Sequence, residues 1–313
     1  MDDDSVLVGL DFGGMSIKGG ALRARDGEEL ATATRPFDPA APAAEIFDRA
    51  ASCVDELEDA VGTRSPAIGL GCAGLFDRPT GRVLASANMP NLVDTSLSDG
   101  VGARCGGRRV IVENDANVAA FGEQWLGAGR DEENLVLLTL GTGVGGGIVL
   151  GDELFVGPGG NAGEIGHTVI VQRPTGSPYD APYHEELECP CGSYGCLERL
   201  VSATAAMRRA RDAGLTDDLP ALCDEARASA GPARQLLHAI GRDLGAGLSA
   251  LVTLFDVGFF AIGGGFGAAL DLLEGGAHEV LEDRRYGTAP ARIVRAALGG
   301  DAGWIGAARL VRE

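Results

Sequence analysis

Val6-Leu7-Val8-Gly9-Leu10-Asp11-Phe12-Gly13-Gly14-Met15-Ser16-Ile17-Lys18-Gly19 runs from an apolar segment into a glycine pair. The segment Val6 to Leu10 predicts a buried strand, and Gly13-Gly14 predicts a tight turn after it. Gly20 to Leu22 and Leu30 to Thr34 read as two further strands, so 5–35 is a meander. A helix is expected over about 43–61, because Ile46, Ala50, Cys53, Leu57 and Val61 recur at spacings of three and four and share one face. Strands at 67–71 and 109–112 follow, then a helix from Asp115 to about Leu126.

A similar order returns from Asn134. Leu135 to Leu140 is an apolar strand, 141–147 is glycine-rich, and Gly147 to Leu150 is the expected hairpin partner. Helices are expected at about 202–213 and 231–254, then a strand at 257–262, a helix at 267–282, a strand at 292–295 and a last helix from Ala302. No sequence repeat is readable, so the echo is one of topology, as expected of two related α/β lobes around a cleft. The boundaries expected are 1–115 for the first lobe, 116–300 for the second, and 301–313 for a terminal helix packing back on the first.

The 313 residues are 45% hydrophobic and carry a formal charge of −19, a composition that can bury a large core. Forty-five acidic residues repel phosphate backbones and anionic membranes, and no basic patch offsets them, so neither nucleic acid nor membrane is an expected partner. Lys18 is the sole lysine. That imbalance resembles the cytosolic proteins of salt-accumulating halophiles, although a GC-rich genome also replaces Lys by Arg. Met1-Asp2-Asp3-Asp4 lacks the positive charge and apolar run of an export signal. The apolar stretch Leu244 to Leu270 is broken by Asp256 and Gly263-Gly264-Gly265, as in a buried helix followed by a buried strand. A cytoplasmic location is expected. Cys53, Cys72, Cys105 and Cys223 are scattered, whereas Cys189, Cys191 and Cys196 cluster, which in a reducing compartment suggests metal rather than a disulfide.

Three glycine clusters follow apolar strands. In Asp11-Phe12-Gly13-Gly14 exposed backbone N–H groups could meet phosphate oxygens, with Asp11 holding Mg²⁺ through water; the plainer reading is a hairpin turn. Gly141-Thr142-Gly143-Val144-Gly145-Gly146-Gly147 offers several amides and a hydroxyl. Gly263-Gly264-Gly265 sits between a strand and a helix, where the helix dipole favours an anion. None has P-loop or dinucleotide-fingerprint spacing.

Between and after these loops lie Glu113-Asn114-Asp115-Ala116-Asn117-Val118-Ala119-Ala120, Gly163-Glu164-Ile165-Gly166-His167, and Cys189-Pro190-Cys191-Gly192-Ser193-Tyr194-Gly195-Cys196-Leu197-Glu198. In this order they resemble the ROK family of sugar kinases and related repressors, within the actin-like ATPase (ribonuclease H-like) superfamily, across nearly the whole chain. The resemblance implies a two-lobed fold with an interlobe cleft and a structural zinc site.

It further implies a catalytic Asp115, with sugar hydroxyls held by Asn114, Asp115, Glu164, His167 and Glu198. For Asp115 the structural alternative is a helix N-cap. Donor contacts are expected at Asp11, Gly13, Gly14, Ser16, Lys18, Gly141, Thr142, Gly143, Gly263, Gly264 and Gly265. Three cysteines and a histidine suit tetrahedral zinc. The resemblance nominates His167 beside Cys189, Cys191 and Cys196, while His184, in the intervening segment, is the competing fourth ligand.

Some positions depart from the family pattern. Met15 stands where a threonine is usual, leaving Ser16 to supply the hydroxyl, and Ala73 replaces a proline. Asn88, in Ser86-Ala87-Asn88-Met89-Pro90, matches a sugar-contacting segment only loosely. The run Gly14 to Gly19 is similar to that of polyphosphate-using glucokinases, in which a lysine follows the loop.

The expected activity is transfer of the γ-phosphate of ATP to the 6-hydroxyl of a hexose, glucose first, with Mg²⁺ and a structural Zn²⁺. N-acetylmannosamine, N-acetylglucosamine and fructose are alternative acceptors, and polyphosphate is an alternative donor. A sugar-sensing repressor is the non-enzyme alternative; ten residues precede Asp11, too few for a helix-turn-helix. A homodimer or homotetramer is expected by resemblance alone.

Overall fold

The structure, a computed structural model, describes residues 4–86, 88–175, 183–284 and 290–312. The opening meander is β1 (Val6–Phe12), β2 (Ser16–Arg23) and β3 (Glu29–Pro36). Helix α1 (Ala43–Val61) ends where Gly62 turns left-handed. Its inner face carries Ile46, Ala50, Cys53 and Leu57, fully buried as the spacing predicts, whereas Val61 is only partly covered. Then come β4 (Ile68–Cys72), β5 (Leu75–Asp77), β6 (Arg82–Ala85), α2 (Leu97–Arg104), β7 (Val110–Asn114) and α3 (Asp115–Leu126). The small β5–β6 sheet and α2 are not expected from the sequence.

The second series is β8 (Leu135–Leu140), β9 (Val144–Leu150) and β10 (Glu153–Leu154). It continues with α4 (Glu198–Val201), α5 (Ala203–Asp212), α6 (Leu219–Ala228) and α7 (Pro232–Phe255). Strand β11 (Phe259–Gly263), α8 (Gly264–Gly267), α9 (Leu270–Arg284), β12 (Arg292–Arg295) and α10 (Ala302–Leu310) complete the chain. Three details correct the sequence reading: β9 starts at Val144, within the glycine run; the helix expected over 267–282 is present as α9 at Leu270–Arg284, with the separate short α8 before it; and α6 is an additional helix.

The first sheet has the order β3-β2-β1-β4-β7, with β2 antiparallel to β1 and to β3, and with β1, β4 and β7 parallel. The period-two alternation of β1 sorts its side chains between two cores. Val6, Val8, Leu10 and Phe12 join the core that contains the α1 residues, and Leu7 joins Leu22, Trp304, Ile305 and Ala308 on the other face. Helix α10 lies close to the strands because Gly9 and Gly69 have no side chain: a Cβ on Gly69 would sit 1.7 Å from the Ala307 carbonyl oxygen. The second sheet has the order β10-β9-β8-β11-β12, with β8, β11 and β12 parallel.

The chain forms two compact units. One comprises the residues up to Glu133, Gly147–Gly163 and those from Ala297 onward; the other comprises Asn134–Gly146 and Glu164–Ala296. The division therefore differs from the expected boundary at 115, since α3 packs against α10 within the first unit. In the second unit the apolar helix α7 packs against α9 and buries Leu237, Ile240, Leu244 and Leu248. Among the described residues, no helix is long and apolar enough to cross a membrane.

Candidate active site and metal centre

In the first unit, Asp11 lies near the end of β1, opposite Lys18 in the register with β2. The glycine turn between them closes with Gly13 N–H donating to Ser16 O at 3.0 Å. Met15 at its tip is 75% exposed, so the family's missing threonine is not replaced by a packed side chain. Lys18 Nζ donates to Gly300 O at 3.4 Å. A Cβ on Gly303 would fall 2.6 Å from the Asp11 carboxylate, so the bare first turn of α10 is what lets that carboxylate in. Sequence reasoning does not find residues 299–303; the glycines at 299, 300 and 303 are the available signal.

Parallel strand β7 delivers Asn114 and Asp115 at its carboxyl end, where α3 begins. Asn114 is the N-cap: its Oδ1 accepts the N–H of Ala116 at 2.9 Å and of Asn117 at 3.3 Å. Its Nδ2 donates to Gly74 O at 3.3 Å. Asp115 is thereby released from the capping role. Burial, then the neighbouring Asp115, pushes the Asp11 carboxyl up to about 7, with Lys18 pulling the other way. Asp115 is itself raised by burial, against the pull of nearby backbone N–H groups. Two carboxyls in one poorly solvated place share the cost of ionising.

Glu113 also escapes the sequence reading. It is 3% exposed, accepts Asn117 Nδ2 and Asn114 N–H, each at 2.9 Å, and forms an ion pair with Arg78. That network fixes the strand end carrying Asn114 and Asp115. Asn88 is exposed on a segment pinned by the Ser86 hydroxyl, which donates to Ala73 O at 3.0 Å. Ala73 and Gly74 thus tie the Asn88 segment and Asn114 to the same stretch of chain.

In the second unit, the turn Gly141-Thr142-Gly143 is held from the start of α5: Ala203 N–H donates to Gly141 O, and Thr204 Oγ1 to Thr142 O, each at 2.8 Å. Glu198 Oε2 accepts the N–H of Val144 at 2.9 Å, and a Cβ on Gly143 would meet that oxygen at 2.4 Å. Glycine at 143 is therefore required for the loop to lie against the carboxylate. Gly264, at φ +80°, packs on Leu140, whose carbonyl oxygen a Cβ there would meet at 2.4 Å. The second and third glycine clusters are brought together in this way.

Glu164 precedes and His167 ends a 3₁₀ turn, Ile165–His167, and their three-residue spacing sets them on one side. Glu164 Oε2 lies 3.9 Å from His167 Nε2. The other ring nitrogen, Nδ1, is 3.6 Å from Cys189 Sγ, and Cys191 Sγ is 3.7 Å from Cys196 Sγ. The ligand atoms of these four residues lie within 4.8 Å of one another. A tetrahedral ion with Zn–S near 2.3 Å and Zn–N near 2.0 Å needs S···S of about 3.8 Å and S···N of about 3.5 Å, so the donor set and these two spacings fit zinc. His184 is outside the cluster, with Nδ1 3.3 Å from Glu186 Oε1.

The ROK family model matches residues 7–313 of this chain. The glucokinase of Thermotoga maritima is 33% identical over 98% of this chain and 97% of its own length. The structure of a ROK hexokinase from Thermus thermophilus superposes with a TM-score of 0.82 at 31% identity, covering 97% of this chain and 96% of that one. A ROK family glucokinase from Streptomyces griseus, solved in complex with glucose and AMPPNP, gives a TM-score of 0.74 at 32% identity over 98% and 99% of the two chains.

Proposed function

The chain belongs to the ROK family, and from that premise we propose that it is a sugar kinase of the glucokinase type, transferring the γ-phosphate of ATP to the 6-hydroxyl of a hexose, glucose first. The observation that carries the mechanism is the capping of α3 by Asn114, which relieves Asp115 of the N-cap role, while burial raises the Asp115 carboxyl against the pull of the Ala116 and Asp115 N–H groups. A carboxylate made more basic by its surroundings is the better proton acceptor.

Asp115 takes the proton of the sugar 6-hydroxyl as that oxygen bonds to the γ-phosphorus, and the bond from phosphorus to the β,γ-bridging oxygen breaks with its electrons leaving on ADP. Asn114, Asn88, Glu164, His167 and Glu198 hold sugar hydroxyls, a role for which convergent donors and acceptors are needed because unpaired buried groups reject the wrong sugar. Backbone amides at Gly13, Gly14, Gly141, Gly143, Gly263, Gly264 and Gly265, with the hydroxyls of Ser16 and Thr142, receive the phosphates, and Lys18 adds positive charge. The mutual repulsion of Asp11 and Asp115 suits a hard divalent cation, so Asp11 would hold Mg²⁺, which supplies charge neutralisation. Zinc on His167 Nδ1, Cys189, Cys191 and Cys196 would brace the sugar-side turn, keeping Nε2 of His167 toward Glu164.

The deciding experiment is a panel of glucose, fructose, N-acetylglucosamine and N-acetylmannosamine crossed with ATP and polyphosphate, read as phosphorylated sugar. The highest kcat/KM should fall on glucose with ATP. A preference for an N-acetylated sugar would displace glucose, and no turnover with any pair would remove the kinase reading.

A further inference from the structure

Arg199 and Arg208, both half-buried, are held by carbonyl groups rather than by counter-ions. Arg199, in α4, sends Nε and Nη2 to the carbonyl oxygen of Glu186 at 2.9 and 2.7 Å, and Arg208, in α5, sends Nη1 to the same oxygen at 3.2 Å. Arg208 Nη2 donates to Arg199 O at 2.8 Å, and its Nε is buried without a hydrogen-bond partner. The Glu186 carboxylate faces His184 instead. Among the described residues, neither guanidinium forms an ion pair with a carboxylate. Burial, and then Arg199, lowers the pKa of Arg208 from its ordinary value.

Both arginines line a cavity of about 490 Å³, together with Thr204, Arg211, Asp217 and Asp218. Its two carboxylates are already engaged. Asp217 accepts Arg211 Nε and Nη2 at 3.1 and 3.0 Å, and Asp218 caps α6 by accepting the N–H of Ala221 at 2.8 Å. Holding the turn at Glu186 needs one donor on that carbonyl; three donors from two cations leave positive charge unspent beside an open space.

We infer that this cavity binds a phosphate group, free or carried on a small metabolite. Guanidinium groups match phosphate oxygens in geometry and charge, and the volume exceeds what a bare anion needs, leaving room for an organic portion. The inference rests on the arginines alone and stands apart from the kinase assignment. The cavity adjoins the second glycine turn through the Thr204 to Thr142 hydrogen bond, so the nucleotide site must be kept filled during the measurement.

Isothermal titration of the full chain with inorganic phosphate, and separately with glucose 6-phosphate, in saturating glucose and AMPPNP, decides the matter. Saturable binding of at least one is expected, weakened about tenfold or more by Arg199→Gln and by Arg208→Gln, and unchanged by Arg242→Gln on α7. Tighter binding of glucose 6-phosphate would assign the site to the product ester; tighter binding of inorganic phosphate would assign it to the free anion. Should the glutamine variants fail to fold, wild-type affinity must still fall steeply with rising KCl. No saturable binding, equal affinity in the variants, salt-independent binding, or binding abolished by AMPPNP would each overturn the inference.

Discussion

Asn114 caps the helix that Asp115 begins, taking the N–H groups of Ala116 and Asn117 on one side-chain oxygen. At a strand-to-helix junction the acidic residue is the obvious candidate for a cap, and here the amide before it takes that place. The two neighbours therefore have separate roles. Asn114 completes the helix terminus, and Asp115 keeps a carboxyl whose ionisation is resisted by burial.

Stability should report this division. Asn114→Ala removes the cap and should cost about 1 kcal/mol in urea unfolding. Asp115→Asn should cost nothing, or raise the melting temperature near pH 7, because it removes a buried carboxylate beside Asp11. The reverse ranking would return Asp115 to the capping role.

The Asp11 carboxyl has a signed pH signature. Its pKa is raised, so between the ordinary carboxylate value of about 4 and about 7 the folded chain holds a proton that the unfolded chain has released. Without divalent cation, its contribution to stability is therefore fully present below about pH 4 and lost as pH rises through about 7. Thermal unfolding across that window in EDTA should show the decline in wild type, with a shallower slope in Asp11→Asn. Equal slopes would count against the raised pKa.

Much of this is legible in the sequence because it is local. Apolar runs ending in glycine mark β1 and β8, and the spacing of apolar residues marks α1 and α7. Helix α2 is hidden because it contains Gly100 and Gly102, poor helix formers whose reason is tertiary: a Cβ on Gly100 would strike the Phe47 ring at 2.3 Å. Helix α6 does carry a readable start, Asp218 followed by Leu219-Pro220. In the site, motif spacing marks Asp115 and the cysteines, but the Arg78–Glu113 ion pair joins residues with no local pattern between them. The arginines at 199 and 208 likewise come together only once the turn at Glu186 is folded beside α5.

The metal centre predicts about one zinc per chain as purified. Cys191→Ser should lower zinc content and melting temperature together, since Cys196 and Cys189 are buried and lose their shared ion. Full zinc with unchanged melting in that variant would show that the cluster is not the binding site.

An acidic surface repels itself, and counter-ions relieve the repulsion. With a formal charge of −19, the melting temperature should climb from low salt to molar KCl. A steady fall would remove adaptation to salt as the reason for the single lysine.

Catalysis should separate the carboxylates assigned to chemistry and to binding. Asp115→Asn preserves shape but is a poor proton acceptor, so kcat should drop by ~10²–10⁴-fold while glucose affinity, measured by titration, changes little. Glu198 holds its loop through Val144 N–H as well as facing the proposed sugar, so Glu198→Gln, whose amide oxygen can still accept that bond, should chiefly raise KM. Near-normal turnover in Asp115→Asn would end the general-base assignment. A kcat loss in Glu198→Gln as large as that of Asp115→Asn, with KM unchanged, would move the chemistry to Glu198.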